Sequence, residues 1–307
     1  MRIIHTAAQF EPKGAKICLA IGFFDGVHLG HQQIIRQTMS DARQHEAAGV
    51  VLTFDQHPNT VVAPKRVPPL IYSLPQKLRT IEGLGVDTLL LLHFDKQFSE
   101  QTGEAFVRGL PGELGRIQSL CVGANFVFGH KRGGNVELLK ALGAELNFTV
   151  HGLSAVALDG KAVSSTRIRE AIGLGELDAA SQMLGRAYSL AGTVVRGDEL
   201  GQKLGFRTAN IDTRGLVLPP NGVYAVQAAT PKGTWRAVLN IGVRPTLQQA
   251  SPQRRAEAHL VGFEGDLYGQ ELEVTFVEKL REERKFGSLE ELRAQIAKDV
   301  QEAEKRF

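Results

Sequence analysis

The sequence predicts a two-domain protein, an α/β domain built on a parallel sheet followed by a small β-domain that ends in a helix. Three observations carry this. The chain has 307 residues, beyond the usual size of one domain. In its first half, apolar runs of β type alternate with stretches of helical period. From about residue 186, short apolar runs follow one another with only turns between them. Hydrophobic residues make up 43% and charged residues 22%, enough to build a core in each half, which excludes a disordered chain.

In chain order, Ile17 to Ile21 reads as a strand, and Ile34, Ile35, Met39 and Ala42 then mark one face of a helix. Val50 to Phe54 is the next strand. Leu74, Leu78, Ile81 and Leu84 form a second helical stripe. Val86 to Leu92 follows as an unbroken apolar run, the pattern of a parallel strand covered on both faces. Leu120 to Val122, a helix near Val136 to Leu142, a strand near Asn147 to Val150 and a helix opening around Thr166 to Ile172 continue the alternation. Gly173, Gly175 and Gly185 then punctuate the chain, which sets the boundary between domains 1–185 and 186–307.

The second half reads as five strands, Ser189 to Val195, Val223 to Ala228, Trp235 to Ile241, Ala256 to Val261 and Leu272 to Leu280, a spacing that suits a small barrel or sandwich. The last helix starts at Ser288 with Glu291 three residues on, a capping box. Its stripe of Leu289, Leu292, Ile296 and Val300 predicts packing across the β-domain.

Bulk properties narrow the function classes. A formal net charge of only +3 gives no field that points to nucleic acid. No apolar run reaches the length of a membrane span and no secretory leader is present, so neither membrane nor secretion is expected. Cys18 and Cys121 lie in apolar runs without a C-x-x-C pattern and read as buried free thiols in a reducing cytoplasm.

Chemistry concentrates at Gly22-Phe23-Phe24-Asp25-Gly26-Val27-His28-Leu29-Gly30-His31, which joins the first strand to the first helix. In an open parallel sheet ligands bind at the carboxyl ends of strands, and a helix N-terminus there offers N–H groups and a positive dipole end to phosphate. His28 and His31, three apart, can turn both rings to one phosphate chain. Phosphate binding is the best-supported reading; two histidines of a surface turn, or two ligands of a zinc ion, stay open. The stretch is neither a Gly-Lys-Ser/Thr phosphate loop nor a G-x-G-x-x-G fingerprint. Two further clusters fall at strand ends: Thr53-Phe54-Asp55-Gln56-His57-Pro58, and the hydroxyl and guanidinium run Ser164-Ser165-Thr166-Arg167-Ile168-Arg169. Asn125 to Asn135, glycine-rich with Lys131 and Arg132, reads as a loop over a pocket.

These three motifs, with Leu204-Gly205-Phe206-Arg207-Thr208-Ala209-Asn210-Ile211, resemble in order and over nearly the whole chain the bacterial bifunctional riboflavin kinase/FAD synthetase family. The resemblance implies a Rossmann-like, nucleotidylyltransferase-like domain over 1–185 that adenylylates FMN with ATP, releasing pyrophosphate. It implies a six-stranded Greek-key β-barrel with a C-terminal helix over 186–307 that phosphorylates riboflavin. ATP and Mg²⁺ would serve both reactions, with riboflavin, FMN and FAD as substrates or products in a cytoplasmic monomer or weak homo-oligomer. In the first domain, His28 and His31 match the family's nucleotide-binding histidines, and Gly22, Phe24, Asp25, Gly26, Gly30 and His57 stand in the same motifs. Ser165, Thr166 and Arg169 match its second phosphate-contacting motif, and Asn125 lies in its flavin-side loop, where Asp is often found.

In the second domain, Glu257 matches the family's catalytic glutamate, and Thr208 and Asn210 its Mg²⁺ and ATP ligands. The glycine-rich run from Gly192 to Gly205, including Gly197, Gly201 and Lys203, would shape the ATP-side loop, with Asn240 and Arg244 as weaker candidates for flavin or loop support. Without the resemblance, Glu257 is one acid on a solvated strand face. One departure stands out: Arg207 occupies the place of a usual proline, which should loosen this loop and bring a cation near the phosphates. The alternative is an FAD synthetase alone, whose β-domain binds flavin or regulates.

Overall fold

The computed structural model describes residues 1–10, 16–197, 201, 205–243 and 254–307. It divides into two compact units, Met1–Pro69 with Leu74–Ser165, and Leu70–Ser73 with Thr166–Phe307.

The first unit holds six parallel strands: β1 (Arg2–Ile4), β2 (Lys16–Ile21), β3 (Ala48–Phe54), β4 (Thr88–Leu92), β5 (Arg116–Gly123) and β6 (Thr149–Leu153). Their order across the sheet is β1-β4-β3-β2-β5-β6. Helices α1 (Leu29–Gln44), α2 (Asn59–Val62), α3 (Leu74–Glu82), α4 (Lys96–Glu100), α5 (Gly103–Leu114) and α6 (Val136–Leu146) connect them. A hairpin, β7 (Ala157–Leu158) and β8 (Lys161–Ala162), follows.

Strand alternation sorts the core into two layers. Leu19, Ile21, Val50, Leu52, Leu120 and Val122 meet Val107 and Leu110 of α5 and Leu139 of α6. Ala20, Val51, Leu89 and Cys121 meet Ile35 and Met39 of α1 and Ile81 of α3. The strand order runs outward in opposite senses on either side of β2, so the switch point lies at its carboxyl end, where Gly22 begins. Cys18 and Cys121 are free and buried, and burial pushes both thiols up, Cys121 to about 12.

Two readings shift. The strand expected from Asn147 starts at Thr149, because Asn147 closes α6 in the left-handed conformation at φ 62, a role asparagine tolerates. α5 carries Gly103, Gly109, Pro111 and Gly112, breakers that hide its helical period in the sequence.

The second unit begins within α7 (Ser165–Leu174), continues through α8 (Leu177–Leu184) and forms a closed antiparallel barrel. Its strands are β9 (Ser189–Val195), β10 (Ala209–Ile211), β11 (Gly222–Thr230), β12 (Gly233–Val243), β13 (Arg254–Leu260) and β14 (Glu271–Arg281), in the order β10-β13-β12-β11-β14-β9. The consecutive strands β11, β12 and β13 with β14 returned beside β11 make a Greek key. Leu190, Ile211, Val226, Leu239, Ala258 and Val274 fill the interior. Leu70 joins this unit through a parallel bridge to Leu216, its N–H donating to Gly215 O at 2.7 Å, and Arg186 lies over the Tyr72 ring at 5.1 Å.

The last helix, α9 (Leu289–Glu304), lays Val300 and Ala303 on Val223, Ala225 and Val238 of the barrel wall. Arg281 grips the buried Asp299 with two hydrogen bonds of 2.9 and 2.7 Å. Leu289, expected in the buried stripe, is 54% exposed because it sits on the first turn, before the helix meets the barrel. Ser288 accepts from Glu291 N–H as expected, while the Glu291 carboxylate takes the N–H of Gly287 instead of the cap's own.

Candidate active sites

At the end of β2 the chain makes a tight turn before α1. Phe24 at φ 54, Gly26 at φ 73 and Val27 at φ 42 are all left-handed; for a β-branched valine this is strained backbone, of the kind folded structures hold at ligand sites. Gly22 is required here, since a Cβ on it would lie 2.8 Å from the Phe24 ring. His28 is the N-cap of α1, its Nδ1 accepting from the His31 N–H at 3.4 Å. An accepting Nδ1 puts the ring proton on Nε2, a donor for an anion. The His31 ring stacks on that of His28 at 3.6 Å, and a Cβ on Gly30 would lie 3.2 Å from the His28 ring. The buried Asp25 offers its carbonyl to the Ser165 hydroxyl at 3.1 Å, so the start of α7 meets this turn. Thr166 is exposed and Arg169 half-buried on the first turns of the same helix.

His57 accepts the Asn59 N–H through Nδ1 at 3.0 Å and sets its ring edge-on to Phe23 at 4.9 Å, tying the end of β3 to the turn after β2. Beside them opens a cavity of about 730 Å³, whose walls include Phe23, Phe54, Phe98, Phe126 and Phe128 with Arg132. Its rings run edge to face from Phe54 to Phe98 at 5.4 Å and on to Phe106 at 5.7 Å, and Phe126 stacks on Phe128 at 5.3 Å. This apolar slot was missed in the sequence, where its rings are scattered over separate segments. Asn125 is exposed in the loop after β5 that carries Phe126 and Phe128.

Lys77 of α3 was missed as well. It is only 3% exposed, and its ammonium donates to Phe54 O at 2.8 Å, Phe23 O at 3.2 Å and Thr53 Oγ1 at 3.4 Å, 4.5 Å over the Phe23 ring. Burial pulls it down to about 8, against the pull of Asp25 and Asp55.

In the barrel, Glu257 on β13 stands directly opposite Asn210 on β10 and Asn240 on β12. Their neighbours Ile211, Ala256, Ala258 and Ile241 point into the core, so the three polar side chains form a row on the outer wall. Thr208 and Asn210 line a cavity of about 650 Å³ with Gly197, Arg207, Phe263 and Tyr268. Gly197 and Gly201 lie against these two side chains: a Cβ at 197 would lie 2.2 Å from Asn210 Nδ2, and one at 201 would lie 3.2 Å from Thr208 Oγ1. Gly205 turns at φ 86. Arg207 is exposed at the cavity wall, and its carbonyl accepts from His259 Nδ1 at 2.8 Å, a tie on the loop that proline was expected to stiffen. Lys203 and Arg244 lie outside the described residues.

Two family models match the chain, FAD synthetase over residues 11–167 and riboflavin kinase over 184–307. It is 36% identical to the bifunctional riboflavin kinase/FMN adenylyltransferase of Escherichia coli (strain K12), covering 100% of this chain and 97% of that protein. It is 37% identical to the protein of that description from Pseudomonas fluorescens, over 98% and 96%. Among solved structures, one described as a macrolide-efflux protein from Streptococcus pneumoniae superposes with a TM-score of 0.82 and 27% identity, covering 99% of this chain and 98% of that one. Among the described residues no helix is long and apolar enough to cross a membrane.

Proposed function

The chain belongs to the bifunctional riboflavin kinase/FMN adenylyltransferase family, and we propose that its two sites split the making of FAD between residues 186–307 and residues 1–185. The protein phosphorylates riboflavin to FMN with ATP and adenylylates FMN to FAD with release of pyrophosphate. The observation that carries the placement is the stacked His28–His31 pair at the sheet's switch point, next to an aromatic slot that shares Phe23 with the same turn.

In the first site the FMN phosphate attacks the α-phosphorus of ATP and pyrophosphate leaves, with no covalent enzyme intermediate. His28 donates through Nε2, and the N-terminus of α1 faces the charge that builds on the leaving group. The phenylalanine slot takes the flat isoalloxazine, and Ser165, Thr166 and Arg169 contact phosphate oxygens. Asn125 stands on the flavin side. Most of the acceleration comes from holding the two phosphates in line.

In the second site Glu257 takes the proton of the ribityl hydroxyl as it attacks the γ-phosphorus. Thr208 and Asn210 offer oxygen donors beside Gly197 and Gly201 and suit Mg²⁺, which prefers a few protein oxygens plus substrate phosphates. When bound, Mg²⁺ neutralises phosphate charge. Asn240, opposite Glu257 on the neighbouring strand, gives flavin or loop support. Two buried, unbridged thiols support a cytoplasmic location.

Chromatography of products from riboflavin and Mg-ATP tests the assignment. A His28→Ala/His31→Ala variant stops at FMN, and Glu257→Ala converts supplied FMN to FAD but leaves riboflavin untouched. Any other partition overturns the placement of the sites.

A further inference from the structure

The two loops of the adenylyl-transfer site, Gly22–His31 and Thr53–Pro58, leave the ends of adjacent strands; besides the contact of the His57 and Phe23 rings, the Thr53 hydroxyl donates to Phe23 O at 3.0 Å, and at the base of the first loop the Gly22 N–H donates to Leu52 O of β3 at 3.2 Å. Lys77 closes the gap from a third element. Its three acceptors sit on both loops, Phe23 O on one and Thr53 Oγ1 and Phe54 O on the other. An ammonium has three N–H groups, and here each has an oxygen within reach. The Thr53 hydroxyl spends its own hydrogen on Phe23 O, so toward Lys77 it accepts. A neutral amine would bring two hydrogens to three acceptors and turn its lone pair on an oxygen.

We infer that Lys77 is a positioning residue for adenylyl transfer, whose protonated ammonium clamps the histidine turn to the end of β3 and fixes the phosphate-binding groups. The inference rests on the assignment of His28 and His31 to this reaction. The charged groups facing Lys77 are Asp25 from the turn and Asp55 from the end of β3, the latter held from its far side by His93 at 2.7 Å; His57 reaches the same spot only through Phe23. Both carboxylates favour the ammonium and burial opposes it more strongly, so the clamp loses its proton just above neutral pH.

The test follows kcat/KM for FMN adenylylation between about pH 6.5 and about pH 9.5, which reports groups of the free enzyme. It uses the full chain, Lys77→Met, Lys77→Arg and His28→Ala/His31→Ala, with the circular dichroism and urea transition of each sample as the check on folding and its riboflavin kinase activity as the check on the barrel. The expected wild-type profile falls above about pH 8 while its kinase profile does not share that limb. Lys77→Met loses at least about tenfold near pH 7, toward the roughly 10²-fold cost of an ångström of misplacement, and has no such limb. Lys77→Arg keeps the charge but not the three-point fit; it is impaired and also lacks the limb. A Lys77→Met loss below tenfold, or a retained wild-type limb, overturns the inference. If Lys77→Met loses kinase activity too, Lys77→Arg decides in the same way by its limb. FAD synthesis surviving in the double histidine variant overturns the site assignment and the role of Lys77 with it. A dead double variant beside an unchanged Lys77→Met profile overturns Lys77 alone.

Discussion

Gly197→Ala separates the kinase site from the rest of the chain by a single methyl group. The glycine is not in the left-handed region, so alanine fits its backbone, and the cost is steric: the new Cβ would stand 2.2 Å from Asn210 Nδ2, 2.6 Å from Cγ and 2.8 Å from Oδ1. Carbon and polar atoms rest near 3.5 Å, so the amide must retreat by roughly 1 Å from the place proposed for its contact with metal or phosphate. Losing one hydrogen bond to a charged group costs about 1.5–3 kcal/mol, which is roughly a 10- to 150-fold fall in kcat/KM for riboflavin phosphorylation. Fold stability should change little, since the half-buried Asn210 side chain can move aside and alanine restricts the unfolded chain. The assay is chromatography of FMN formed from riboflavin, with FMN-to-FAD conversion by the same sample as the internal control. Asn210→Ala sets the ceiling, and the double variant should match Asn210→Ala alone, because the clash has nothing left to displace. A kinase change below threefold, an equal fall in FAD synthesis, or additive losses in the double variant would refute the reasoning.

Two further outcomes are expected. Phe128→Ala removes one wall of the aromatic slot and raises KM for FMN about tenfold while leaving riboflavin phosphorylation unchanged, read by steady-state kinetics on both steps. Asp299→Ala strips Arg281 of its two-point partner; Asp299 is 5% and Arg281 20% exposed by side chain, so the loss is near the low end for a buried pair, about 3 kcal/mol, measured as a shift in the urea midpoint of the barrel transition.

The parallel sheet was legible because each strand from Ile17 to Leu92 is an apolar run bounded by a helical stripe, a pattern with few alternatives. β1 was missed as a strand of three residues, too short for any periodicity to show. The histidine turn stood out because its position at a strand end, not its composition, carries the signal. Lys77 gave no signal: in the sequence it falls between Leu74, Leu78 and Ile81, on a stripe already explained as core. Nor could the row Asn210–Glu257–Asn240 be read, since it depends on the registers of three strands joined by long connections. Only the family resemblance drew attention to Glu257, and the register then gave it two neighbours.

Residues Leu70–Ser73 lie in the middle of the first unit's sequence yet count with the barrel, through the bridge of Leu70 to Leu216 and the stack of Arg186 on Tyr72. During synthesis these four residues emerge well before the segment they pair with, so the barrel unit is completed by a strip of chain made earlier. A cut at residue 185 would part Leu70 from Leu216 and Tyr72 from Arg186.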